Sequence, residues 1–208
     1  MERRDNYLLQ AQQAKKRFVT YDQQEMICRC GLSYDREYLY TTFLSDAYRI
    51  RRDSGDLQRE HRGSWVEANS FAEVMTLLDW LCDSRPDRYL TGRFVNIVTQ
   101  GHNFHRNLQE SERDPDAEYF CADPQAFCAA CTALGGEAVG GADVAYTIEV
   151  LDGVRILLKL WFADEEFPAK LVCLWEENVL RYLRYETTWY AVGLLLARIK
   201  EKMKEAQR

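Results

Sequence analysis

The dipeptide Asp152-Gly153 constrains this chain more than any other feature. It stands between two runs of alternating hydrophobicity, and an Asp-Gly pair in that setting is a strong signal for a two-residue hairpin turn. Before it, Val144, Tyr146, Ile148 and Val150 alternate with smaller or polar residues. After it, Val154, Ile156, Leu158, Leu160 and Phe162 alternate with Arg155, Leu157, Lys159 and Trp161. A second turn is expected over Asp164 to Pro168 and a third strand over Ala169 to Trp175. A period of two residues lines one face of a sheet, so residues 144–176 read as a three-stranded antiparallel meander.

Helical signals surround that meander. Tyr7 or Leu8, Ala11, Ala14 and Phe18 recur at helical spacing, and Asp22 with Glu25 makes a capping-box pattern before a short helix that Gly31 ends. Residues 38–52 are aromatic and β-branched and predict two strands, with turns near Ser45-Asp46 and Ser54-Gly55. Residues 58–69 are polar without a period and predict a loop. Ser70 and Glu73 then open a helix whose stripe is Phe71, Val74, Leu78 and Leu81, closed by Arg85-Pro86. Phe94 to Val98 suggests a short strand, and the charged stretch His102 to Asp116 a surface loop or frayed helix.

Asp123-Pro124 starts another helix, because proline at its first position loses no hydrogen bond. Phe127, Cys131 and Leu134 share its inner side, and the glycine-rich residues 135–141 give a flexible connection into the meander. Glu186 opens a final helix with the stripe Trp189, Val192, Leu196, Ile199 and Met203. The expectation is a single α+β domain over residues 1–208: the antiparallel meander plus N-terminal strands, covered by helices including the C-terminal one.

Composition narrows the function classes. Lys plus Arg is 27 against 33 Asp plus Glu, a net charge of −6 with a pI near 5.2. That balance disfavours a general attraction to nucleic acid or anionic lipid. No stretch approaches the ~20 apolar residues that span a bilayer, and the opening Met-Glu-Arg-Arg-Asp leads into a polar helical segment, not a signal peptide. A cytoplasmic location is expected. The seven cysteines are an odd number scattered through predicted helices and strands, which points to free thiols and not to a disulfide framework.

Several segments resemble a known family. Gly140 to Tyr146, the hairpin that follows, and Trp161-Phe162-Ala163-Asp164-Glu165-Glu166-Phe167-Pro168-Ala169 are similar to the pattern of the domain-of-unknown-function family DUF 3786. Tyr182 to Glu186 resembles that family's entry to its last helix, and Leu90 to Phe94 and Gly135-Gly136 are similar to two weaker signatures. Trp175-Glu176 stands where the family usually runs phenylalanine-aspartate. The resemblance implies a bacterial or archaeal source and no assigned activity. Some members carry the domain behind an iron–sulphur segment, which implies a link to anaerobic redox or corrinoid metabolism.

Among candidate sites, Asp164 and Glu165 at the predicted hairpin tip, with Asp143 before the meander and Glu186 at the last helix, are carboxylates that could ligate a hard divalent cation. The simpler account is a solvated turn with Phe167 anchoring it to the core and Pro168 leading into the next strand. Arg93 beside Gly92 suits an anionic ligand, and Tyr185 stands in an aromatic cluster with Tyr182, Trp189 and Tyr190 that could line a pocket. Cys128-x-x-Cys131 and His102-x-x-His105 are incomplete as metal sets, and the glycine-rich stretch has the reverse order of a phosphate-binding loop. No complete catalytic motif is present, and no cofactor is specified.

The leading expectation is therefore a ligand-binding or accessory module and not an enzyme. Its alternatives are a divalent-metal-dependent enzyme built on the acidic cluster, and a protein–protein or homodimer module.

Overall fold

The computed structural model describes residues 2–99 and 113–206. These residues form six α-helices and ten strands, the strands arranged as two separate antiparallel sheets, which makes the chain α+β. They fall into two compact units: residues 2–89 with 178–194, and residues 90–99 and 113–177 with 195–206.

The first unit opens with α1 (Glu2–Thr20) and α2 (Gln23–Cys30). Asp22 caps α2 by accepting from the N–H groups of Gln24 and Glu25, and Gly31 ends it in the left-handed region at φ 62°. Five strands follow in sequence order: β1 (Ser33–Tyr34), β2 (Tyr38–Phe43), β3 (Asp46–Arg51), β4 (Leu57–His61) and β5 (Ser64–Glu67). The polar stretch expected to be a loop is thus largely a hairpin, Gln58 facing Glu67 and Glu60 facing Trp65. Only Leu57 in it is fully buried, so the charged residues conceal the period. α3 (Phe71–Asp83) carries the expected capping box of Ser70 and Glu73.

The core of this unit joins Leu39, Phe43, Tyr48, Ile50 and Leu57 of the sheet to Phe18 of α1 and to Val74, Leu77, Leu78 and Leu81 of α3. Tyr48 keeps its hydroxyl satisfied by donating to Glu73 Oε1 at 2.9 Å. At the turn after β3, Gly55 lies so close to α1 that an added Cβ would sit 3.2 Å from Lys15 Cα.

The second unit has α4 (Pro115–Cys121), α5 (Pro124–Ala133) and a sheet of order β6-β10-β9-β8-β7. Its strands are β6 (Phe94–Val95), β7 (Glu137–Ala138), β8 (Val144–Leu151), β9 (Val154–Trp161) and β10 (Lys170–Glu176). The predicted meander is β8-β9-β10, and its first turn has positive φ at both Asp152 (49°) and Gly153 (78°). β7 gives short strand structure to the glycine-rich stretch expected to be a flexible connection. Ile148, Ile156, Leu158, Leu160 and Trp175 are buried with Phe120 of α4 and Phe127 and Cys131 of α5.

The C-terminal helix α6 (Tyr185–Ala206) contributes its first ten residues to the first unit and the rest to the second. Its buried positions include Thr188, Ala191, Leu195, Ile199 and Met203, whereas Trp189, Val192 and Leu196 are only half-buried. The buried face is rotated from the expected stripe because threonines and an alanine pack inward where bulk was looked for.

Candidate functional site

The β9–β10 connection leaves apolar surface in solvent. β9 ends at Trp161, one residue short of the expected alternation, so Phe162 turns outward. Trp161, Phe162 and Phe167 are 36%, 40% and 65% exposed. Phe167 thus does not anchor the turn to the core. All three line one cavity of about 1110 Å³ together with Arg113, Asp114, Asp143, Asp164, Lys170 and Val172. That volume is on the scale of organic-ligand pockets, roughly 300–1,000 Å³.

Main-chain hydrogen bonds set the shape of the cavity. Asp143 Oδ2 accepts from the Phe162 N–H at 2.7 Å, fixing the exit of β9. Asp164 Oδ1 accepts from the N–H groups of Glu166 (2.8 Å) and Phe167 (2.7 Å), closing the acidic turn on itself. Those two N–H groups, Phe167 first and then Glu166, hold the Asp164 carboxyl below the usual carboxylate range. Asp114 caps α4 through Oδ1, accepting from Asp116 and Ala117, and its Oδ2 accepts from the Leu171 N–H at 3.0 Å, tying α4 to β10.

Behind the aromatic wall, Cys121 Sγ lies 3.8 Å from the Trp161 carbonyl, to which it donates. Its thiol is pushed up by burial and then by the charges of Asp143 and Asp114.

The carboxylates proposed from sequence are divided. Asp143 and Asp164 line the same cavity, and Glu165 is exposed on the adjoining turn. Glu186 is exposed in the first turn of α6 and belongs to the first unit. Among the described residues no three His, Cys, Asp or Glu side chains gather so that they could hold a metal ion. Arg93 is exposed and pairs with Glu177, its Nε at 3.0 Å and Nη2 at 2.5 Å from Oε2. Tyr185 is half-buried with its ring edge-on to Trp189 at 6.3 Å. Cys131 is buried and Cys128 half-buried on α5, and burial pushes the Cys131 thiol up, away from a reactive thiolate. His102 and His105 lie outside the described residues.

Two buried carboxylates were not singled out from the sequence. Glu176, 3% exposed, accepts from the N–H and hydroxyl of Thr91 and from the Gly92 N–H, so the Leu90–Phe94 segment, which carries part of the family resemblance, is tied to the residue at which the chain departs from the family pattern. In the first unit Asp79, 2% exposed, accepts from the Thr187 hydroxyl at 2.5 Å and from Arg17 at 3.1 Å. Arg17 and Arg184 each also reach Asp83 at 2.7 Å. The Glu176 network ties a loop to β10, and the Asp79 network pins helices. Nothing in local sequence pattern announces them, since each joins residues more than sixty positions apart.

The cavity's aromatic members could have been found from sequence only by asking why a turn should carry Trp-Phe before and Phe after its acidic tip. Arg113 and Asp114 had no signal at all, because they reach the site only through the α4–β10 tie.

No curated protein and no solved structure matches the chain. The family described as "Domain of unknown function (DUF3786)" matches residues 22–198, a span that includes every residue of the cavity and of the Glu176 network and, of the Asp79 network, all but Arg17. The chain belongs to the DUF3786 family.

Proposed function

We propose that the protein is a cytoplasmic accessory module that binds a small organic molecule in the cavity at the β9–β10 turn. The observation that carries this reading is the convergence of Trp161, Phe162 and Phe167, all substantially exposed, on one concave surface. Scattered exposed apolar residues need no explanation, but a contiguous set with fixed polar neighbours is the usual make-up of a binding site. The polar neighbours are fixed because each of Asp114, Asp143 and Asp164 is held by at least one main-chain N–H. Binding therefore requires little reorganisation of the walls.

A ligand-observed NMR screen of small organic compounds against the wild type and the Trp161→Ala/Phe167→Ala double variant tests the reading. Compounds that bind the wild type and are lost with the double variant are expected. A screen in which every binder is retained by the variant overturns it.

A further inference from the structure

We infer that the ligand of this cavity is an organic cation, an ammonium group carried on an apolar body; this rests on the cavity being the binding site. Count the charges of the lining that are left over once the protein's own contacts are satisfied. Arg113 is engaged by both oxygens of Glu118, at 2.8 and 3.1 Å. Lys170, the other cation, is likewise engaged by the protein. Asp114 spends both oxygens on three main-chain N–H groups.

Asp143 and Asp164 are different. Each spends one oxygen on the main chain, Oδ2 of Asp143 on Phe162 and Oδ1 of Asp164 on Glu166 and Phe167. Among the described residues the second oxygen of each accepts no hydrogen bond. Two half-used carboxylates therefore share a cavity with three exposed aromatic rings.

That combination discriminates between ligand charges. An anion would meet two carboxylates that each have an oxygen to spare, and the two cations of the lining are already engaged by the protein. A neutral apolar molecule would be accepted by the rings but would leave both carboxylate oxygens to water. A cation is attracted by the carboxylates and by the negative faces of the rings, of which Trp161 already carries the Lys159 ammonium 6.0 Å from its centroid, and a quaternary or alkylated ammonium is weakly hydrated enough to leave water for such walls.

The test uses three probes of one shape and three charges: choline, 3,3-dimethylbutan-1-ol and 3,3-dimethylbutanoate. The readout is the Trp161 indole N–H resonance in the ¹⁵N spectrum of the full chain, assigned with Trp161→Phe. Choline is expected to shift it saturably, with affinity at least about tenfold above that of the neutral probe, the order of difference that a desolvated cation–π contact with a carboxylate supplies. Asp143→Asn and Asp164→Asn should each weaken choline several-fold while keeping the fold, because the amide oxygen still accepts the main-chain N–H. Equal or tighter binding of the alcohol or the carboxylate overturns the cation assignment. If none of the three probes moves the resonance while compounds from the broader screen do, the cation assignment fails and the cavity reading stands; if nothing in that screen moves it, both fail.

Discussion

The Asp143 carboxylate and the Phe162 N–H are 2.7 Å apart, although the two residues are nineteen positions apart in the chain. The bond stops β9 at the point where alternation would have carried Phe162 into the core. It thereby sets the aromatic wall and leaves Asp143, a residue of the cavity lining, with one oxygen that accepts no hydrogen bond among the described residues.

Removing that acceptor should loosen the wall. Asp143→Ala is expected to lower unfolding stability by about 1 kcal/mol, the usual loss for a charge-assisted bond at a partly exposed site. Asp143→Asn should recover most of it, since its amide oxygen can take the same N–H. Urea denaturation of the two variants beside the wild type reads the difference, and equal losses would remove the bond from the account.

The same subtlety applies to α3, where both halves of the Ser70–Glu73 capping box are formed. Ser70→Ala should cost about 1 kcal/mol and Ser70→Gly only a few tenths, the ordering measured for N-caps generally. Thermal unfolding of the pair checks the ordering.

Gly136 is held by space and not by φ. A Cβ there would stand 2.6 Å from the Cys131 carbonyl oxygen and 3.1 Å from Ile148 Cγ1, and the oxygen belongs to the helix backbone. Gly136→Ala should therefore destabilise by roughly 1–3 kcal/mol, as overpacking does. The neighbouring Gly140, with open space around its Cβ, should tolerate alanine within about 0.5 kcal/mol, the range of unremarkable surface changes. Chemical denaturation of both variants separates crowding from glycine entropy.

Burial raises the Asp79 carboxyl above its ordinary value, against the Thr187 hydrogen bond and the charges of Arg184 and Arg17. A carboxyl raised in the folded state holds its proton more tightly than in the unfolded chain. Its contribution to stability is then fully present below the ordinary carboxylate pKa and is lost as pH rises through the folded value. Asp79→Asn, which cannot ionise, should gain on the wild type as pH rises from acid to neutral. The difference in urea midpoint between the two proteins, followed across that range, reads the effect; a difference that is flat with pH, or that grows in the wild type's favour, contradicts it.

Local chemistry made much of this fold readable. The Asp152-Gly153 turn, the Ser70 box, the Asp22 cap and the Asp123-Pro124 start are each complete within a few residues, and each stands where expected. The β4–β5 hairpin escaped because its turn is Arg62-Gly63, with φ 52° and 81°, and arginine gives no turn signal in the left-handed region. Its strands also carry Gln58, Arg59, Glu60 and His61 in succession, which erases the period. The candidate site was half legible. Asp143 and Asp164 were marked for their chemistry, but Phe162 and Phe167 beside them were read inward, Trp161 was placed on the opposite face of the strand, and Arg113 and Asp114 were not read at all. What joins these residues is the Asp114–Leu171 tie across 57 positions, a tertiary fact without a local signature.

The most direct measurement of the central claim is a crystallographic fragment screen that includes small ammonium compounds. Bound fragments are predicted in the β9–β10 cavity, with an apolar body against Trp161 or Phe167 and a cationic group within hydrogen-bond or contact distance of Asp143 or Asp164. Fragments that gather elsewhere on the molecule and leave this cavity empty would contradict the account.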